Sequence, residues 1–224
     1  MSEQTQTPVA RFGAFIGSLI SATWMAAMNG VGNAIAWFEG WLFSSKKALY
    51  GLAVTRIIFG LTAIGLLLSN FSTRLYTLGS GSAWNGELAE PLSDFPKIWI
   101  FSAFHAVAAN DVAFTALYIV LILLAALFTL GWRFRIVHPL FFVMWVSFIE
   151  MNDMVGDQGD NMFRIALIIM FFADPAARWS LDARRRAKRE WFDEGSSPRH
   201  IGTVLHNLAL IALTAQVAFV YGSG

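Results

Sequence analysis

Long apolar runs separated by short polar ones organise most of this chain. Residues 50–70 (YGLAVTRIIFGLTAIGLLLSN), 112–132, 137–152, 161–173 and 201–221 are apolar with few interruptions. A helix rises 1.5 Å per residue, so about 20 such residues cross the hydrocarbon of a bilayer. The first, second and fifth runs reach that length, whereas 137–152 and 161–173 are somewhat short. The pattern predicts five transmembrane helices.

Two further stretches read differently. In 12–43, Phe12, Phe15, Ile16, Leu19 and Ile20, and later Ile35, Phe38 and Leu42, recur at roughly helical spacing. Asn29, Gly30, Asn33 and Glu39 interrupt them, and Trp24, Trp37 and Trp41 enrich the segment in tryptophan. An amphipathic helix lying in the membrane interface fits this mixture, and a sixth span is the alternative. Residues 97–110 (KIWIFSAFHAVAAN) are too short to span. With Trp99 they suggest a short helix at the outer surface, where tryptophan is favoured. The expected fold is therefore all-α: a polytopic bundle of five transmembrane helices, an N-terminal interfacial amphipathic helix and a short outer surface helix. Residues 1–47 form the polar N-terminus and interfacial helix, and 48–224 form the transmembrane domain.

Composition agrees with a membrane protein. Of 224 residues, 56% are hydrophobic and 14% charged, against about 25% charged in soluble domains. The net charge of +1 conceals an alternation between loops. Lys46 and Lys47 precede the first run, Arg133 and Arg135 follow the second, and DARRRAKRE (182–190) follows the fourth. Between 71 and 111, Arg74 and Lys97 face Glu87, Glu90, Asp94 and Asp111, and 153–160 holds aspartates without a base. Positive loops stay on the cytoplasmic side. The expectation is a multi-pass cell-membrane protein with the start of its first span cytoplasmic and its C-terminus extracytoplasmic. The N-terminus lacks the basic and apolar regions of a cleaved secretory signal.

Candidate chemistry is sparse. Cysteine is absent, which removes disulfides, thiolate nucleophiles and Cys-ligated metals. The histidines, at 105, 138, 200 and 206, show no metal-ligand spacing, so no metal site is expected. The basic RRRAKR run suits a topology signal with affinity for anionic lipid; nucleic acid is not an expected partner. Within the spans, Arg56 lies roughly 9 Å from the cytoplasmic end of the first. There it can snorkel or pair with Asp174. His206 and Asn207 suit hydrogen bonds between helices.

The densest polar stretch is IEMNDMVGDQGDNMFR (149–164), between the third and fourth runs. Glu150 and Arg164 fall at similar depth on adjacent antiparallel helices and can pair. Asp153, Asp157 and Asp160 crowd the same rim. Clustered carboxylates can supply an acid or base, or oxygen ligands for a hard cation, although the spacing does not match an EF-hand loop. The plainer reading is a polar turn in which Asp160 or Asn161 caps the fourth helix.

Taken in order, RIIFG (56–60), GDN (159–161), DPAARWSLDAR (174–184) and QVAFVY (216–221) resemble the horizontally transferred transmembrane (HTTM) domain. That family includes the vitamin K-dependent gamma-carboxylases and relatives of a sporulation-delaying toxin maturation protein. The resemblance covers about residues 48–222. It implies a membrane enzyme fold and a quinol cofactor. In the carboxylases a lysine deprotonates reduced vitamin K, which reacts with oxygen to yield the base that activates a glutamate side chain. The family's lysine follows the fifth span, but here VYGSG ends the chain. GDN stands where the family has a functional histidine, so neither residue is matched. The ending at Gly224 also reads as that of a fragment.

Two functions follow as expectations. One is quinol-linked modification or maturation of a secreted peptide at an outer rim of Glu150, Asp153, Asp160, Asn161, Arg164 and Gln216, with His105 and Tyr221 as cofactor-binding candidates. The other is a non-enzymatic accessory subunit that binds a membrane or secreted protein, or lipid. The lipid bilayer is the partner common to both.

Overall fold

The computed structural model describes residues 8–81, 98–151, 158–188 and 201–222. All regular structure among them is helical. The chain divides into two units, Met1–Ser45 and Lys46–Gly224.

The described part of the first unit forms one continuous helix, α1 (Pro8–Ser44). At 37 residues it is about 55 Å long. The segment expected to form an interfacial helix is thus helical from end to end. Large apolar side chains are exposed along it, including Phe15, Ile20, Trp24 and Trp37. Phe38 and Trp41 stack with centroids 6.3 Å apart.

The second unit holds α2 (Leu49–Ser69), α3 (Arg74–Thr77), α4 (Ala103–Val107), α5 (Asp111–Leu130), α6 (Phe134–Ile149), α7 (Gln158–Ile169), α8 (Leu181–Ala187) and α9 (Thr203–Gly222). Each of the five apolar runs becomes a helix. Among the described residues, only α2, α5 and the Thr203–Val220 part of α9 are long and apolar enough to cross a membrane. Helix α6 is apolar but has 16 residues. Helix α7 has 12 and tightens into a 3-10 turn at Met170–Phe172. Among the described residues three helices thus qualify as spans by length and composition, and the two runs read as somewhat short give the two shorter helices. Where the short surface helix is expected, the chain forms two short helical pieces, a 3-10 turn at Trp99–Phe101 and α4.

Helix α5 packs between α2 and α6, α6 packs on α7, and α7 on α9. Their interior is strongly aromatic: Phe104, Phe114, Phe128, Phe134 and Phe141 are fully buried. Ring pairs such as Phe104–Phe114 (5.3 Å) and Phe59–Phe163 (4.9 Å) meet edge to face, the arrangement the ring quadrupole favours. Two polar groups in this core meet backbone. The Tyr118 hydroxyl donates to the Leu67 carbonyl at 2.7 Å, and Ser147 Oγ accepts from Phe104 N–H at 3.0 Å, docking α4 on α6.

Helix boundaries follow local chemistry where the sequence supplies it. Asn110 caps α5 by accepting from the Val112 and Ala113 amides at 3.1 and 3.0 Å. Gly131 ends α5 in the left-handed region, φ 62°, which suits glycine. Helix α6 has no such cap of its own. Its amides are met from a distant part of the chain.

Candidate functional site

Two polar clusters lie at opposite ends of the bundle. At the basic end, the turn between α7 and α8 is gripped from inside. Arg56 on α2 is fully buried. Its guanidinium donates to the Pro175 carbonyl at 2.9 Å and the Trp179 carbonyl at 2.6 Å. The expected Arg56–Asp174 pair is thereby replaced, because the guanidinium reaches the turn's backbone. The Asp174 carboxylate, fully buried, takes Lys46 Nζ at 2.6 Å. This arrangement leaves a charge at depth compensated, as burial requires.

His206 and Asn207 tie α9 to the same turn and to the segment before α2. The Asp174 amide donates to His206 Nδ1 at 3.2 Å, so that nitrogen carries a lone pair and Nε2 the proton. Nε2 then donates to the Lys47 carbonyl at 2.8 Å. Asn207 Oδ1 accepts from the Lys47 amide at 2.9 Å. The interhelical hydrogen bonding expected of this pair thus ends on backbone.

Asp182 completes the cluster. Its carboxylate accepts from the Arg133 and Phe134 amides at 2.9 and 2.8 Å, so it caps α6 from α8, and it also pairs with Arg185. Ser180 caps α8 by accepting from the Ala183 amide at 2.9 Å. Arg186 donates to the Ala176 and Ala177 carbonyls, each at 3.3 Å. Burial lowers the Arg186 pKa from its ordinary value, and the charges of Asp182 and Asp174 oppose that shift. Two glycines make the fit possible. A Cβ on Gly60 would lie 2.0 Å from Thr129 Oγ1, and one on Gly131 would lie 2.5 Å from Ser180 Cβ and 2.6 Å from Arg56 Nη1.

The opposite end holds the rim expected around residues 149–164. Glu150 is the C-cap of α6 and is 8% exposed. Arg164 on α7 pairs with it through Nη1, and Nη2 donates to Asn161 Oδ1 at 2.9 Å. Gln216 on α9 donates to the Met162 carbonyl at 2.7 Å, one residue along α7 from Asn161. Three candidates, Glu150, Asn161 and Arg164, are thus joined side chain to side chain, and Gln216 ties α9 to α7 at the neighbouring residue. Asp160 lies in the first turn of α7, which begins at Gln158 rather than at the expected cap position. Its charge still suits a helix N-terminus.

The remaining candidates are elsewhere. Asp153 and Asp157 fall outside the described residues. His105 is half-buried on α4, and its carbonyl accepts from the Ala108 amide at 3.2 Å. Tyr221 lies in the last turn of α9, where only its helical backbone is described. Among the described residues, no group of three or more His, Cys, Asp or Glu is arranged to hold a metal ion.

The HTTM domain model matches residues 48–198, from just before α2 to past α8. This chain belongs to the HTTM domain family. Helix α1 lies ahead of the match and most of the second unit lies inside it. No curated protein and no solved structure matches the chain. Within the HTTM domain, residues of RIIFG and DPAARWSLDAR gather at the basic end: Arg56 holds the turn before α8, Gly60 lets α2 meet α5, Asp182 joins α8 to α6, Ser180 caps α8, and Asp174 takes Lys46. Sequence reasoning missed the roles of Lys46, Ser180 and Asp182. The available signal was a serine two residues before an acid at the start of a basic helix, which marked Ser180 as a cap but could not reveal what Asp182 reaches.

Proposed function

We propose that this protein is a multi-pass membrane protein that modifies a secreted peptide in a quinol-linked reaction at the rim of Glu150, Asn161, Arg164 and Gln216. The observation that carries this reading is that Arg164 on α7 is held by Glu150 at the end of α6 and by Asn161 one turn away, with Gln216 tying α9 to α7 beside them through the Met162 carbonyl. Glu150 and Asn161 hold its guanidinium plane from two sides, and its side chain remains 21% exposed. A guanidinium so oriented suits a peptide carboxylate or amide, because its planar donors match those groups in pairs. Arg164 is thus the binding group, and Glu150 and Asn161 position it. The quinol and the removal of a proton from the peptide are what membership of the HTTM family suggests. By charge, the basic end lies in the cytoplasm and the rim outside.

Quinol-dependent oxygen uptake or epoxide formation by the purified protein tests the proposal. Arg164→Ala should lower peptide-dependent turnover about tenfold or more, with Glu150→Gln closer to the native rate. Native protein inactive with every quinol tried would end the redox reading. Loss of folding in both variants would make the pair structural. A second reading, an accessory subunit binding a partner protein, is favoured by one feature: α1 exposes Trp24 and Trp37 at 68% and 70%. Retention of the native oxygen uptake after removal of α1 would count against it.

A further inference from the structure

A groove of about 610 Å³ opens at the basic end, bounded by α2, α5, the turn before α8, and α8 itself. It is distinct from the Arg164 rim and from the buried Asp174 cluster. It is lined by apolar residues, among them Ile57, Leu130, Trp179 and Leu181, together with the two arginines Arg178 and Arg184. Leu130 is 52% exposed and Trp179 62%. Apolar surface and cationic side chains therefore share one concavity at the end of two membrane-crossing helices.

The local backbone is built to present this surface. Trp179 has φ 46°, a left-handed conformation that is costly for a bulky residue. Arg56 holds it there through the Trp179 carbonyl at 2.6 Å. The indole then meets the Tyr50 ring edge to face at 5.6 Å, and the Arg178 guanidinium lies 5.6 Å from the centre of that same ring. Tryptophan, tyrosine and arginine together are the residues that anchor proteins at the headgroup level. Asp182, the nearest acid on α8, is engaged by the α6 amides and by Arg185.

We propose that this groove binds an acidic phospholipid, with its phosphate between Arg178 and Arg184 and an acyl chain along Ile57 and Leu130. Charge complementarity selects an anion, and the apolar lining continuous with α2 and α5 selects a lipid over a free phosphate. The general attraction of a basic segment for an anionic leaflet decays over a Debye length; a groove adds a defined stoichiometry and a defined residue set.

The full chain, reconstituted with equal parts phosphatidylglycerol and phosphatidylcholine and then taken into mild detergent, should retain phosphatidylglycerol preferentially by native mass spectrometry. Arg184→Gln, at an exposed position, should reduce that preference about fivefold. Ala187→Glu, which places an acid in the lining, should do so at least as strongly. Arg135→Gln makes the same charge change at an exposed site outside the groove and should leave the preference unchanged. An equal loss in Arg135→Gln would overturn the site in favour of diffuse surface charge. So would native protein showing no preference. Displacement of the lipid by millimolar inorganic phosphate or glycerol 3-phosphate would overturn the lipid as occupant and leave a free-anion site.

Discussion

Arg56 shows how one residue acts at the basic end. An arginine inside an apolar helix invites the search for a carboxylate, yet its donors go to two carbonyls of a turn more than a hundred residues away. The guanidinium fork spans both at once, which a lysine ammonium on a flexible stem cannot do. Arg56→Lys should therefore leave at least one buried carbonyl unmatched and cost about 2 kcal/mol. Thermal unfolding of the purified protein in detergent would register it. A midpoint unchanged from the native chain would mean that the turn holds without Arg56. At the other end, Glu150 and Arg164 were legible as a pair from sequence because both flank one short connection between antiparallel helices. Asn161 joined them only once α7 had formed.

At the scale of elements, the contact of α2 with α5 depends on Gly60. Gly60→Ala should force the helices apart at Thr129 and cost about 1–3 kcal/mol. Thr129→Ala in the same chain should recover part of that loss, since it removes the atom a Cβ would strike first. No recovery in the double variant would place the strain elsewhere. Helix α6 carries a different dependence, because its N-terminal amides rely on Asp182 of α8. Asp182→Ala should destabilise the protein by about 1–2 kcal/mol, in the range of a lost helix cap. Hydrogen exchange should rise selectively in the first turn of α6; exchange rising evenly through the bundle would argue against a capping role. Neither dependence was legible in sequence. RIIFG marked Gly60 as part of a pattern, but a glycine's neighbour across a helix interface is not encoded beside it.

For the whole molecule, the lack of cysteine makes topology directly measurable. A single Ser72→Cys, exposed just past α2, should react with an impermeant thiol reagent on intact cells. A single Arg135→Cys at the basic end should react only after permeabilisation. The reverse pattern would invert the orientation assigned from charge.

The sequence by itself determined where the long apolar helices lie, that the molecule is an all-helical membrane protein, and which end is basic. Those properties are sums over neighbouring residues, so they survive without knowledge of the fold: apolar runs of sufficient length must satisfy their own backbone, and loop charge is additive. The tertiary structure decided what the polar residues at depth do. Lys46 and Asp174 are 128 positions apart, and Asp182 caps amides 48 and 49 positions away. Such partners are selected by helix packing and by the cost of leaving a buried donor or acceptor unmatched.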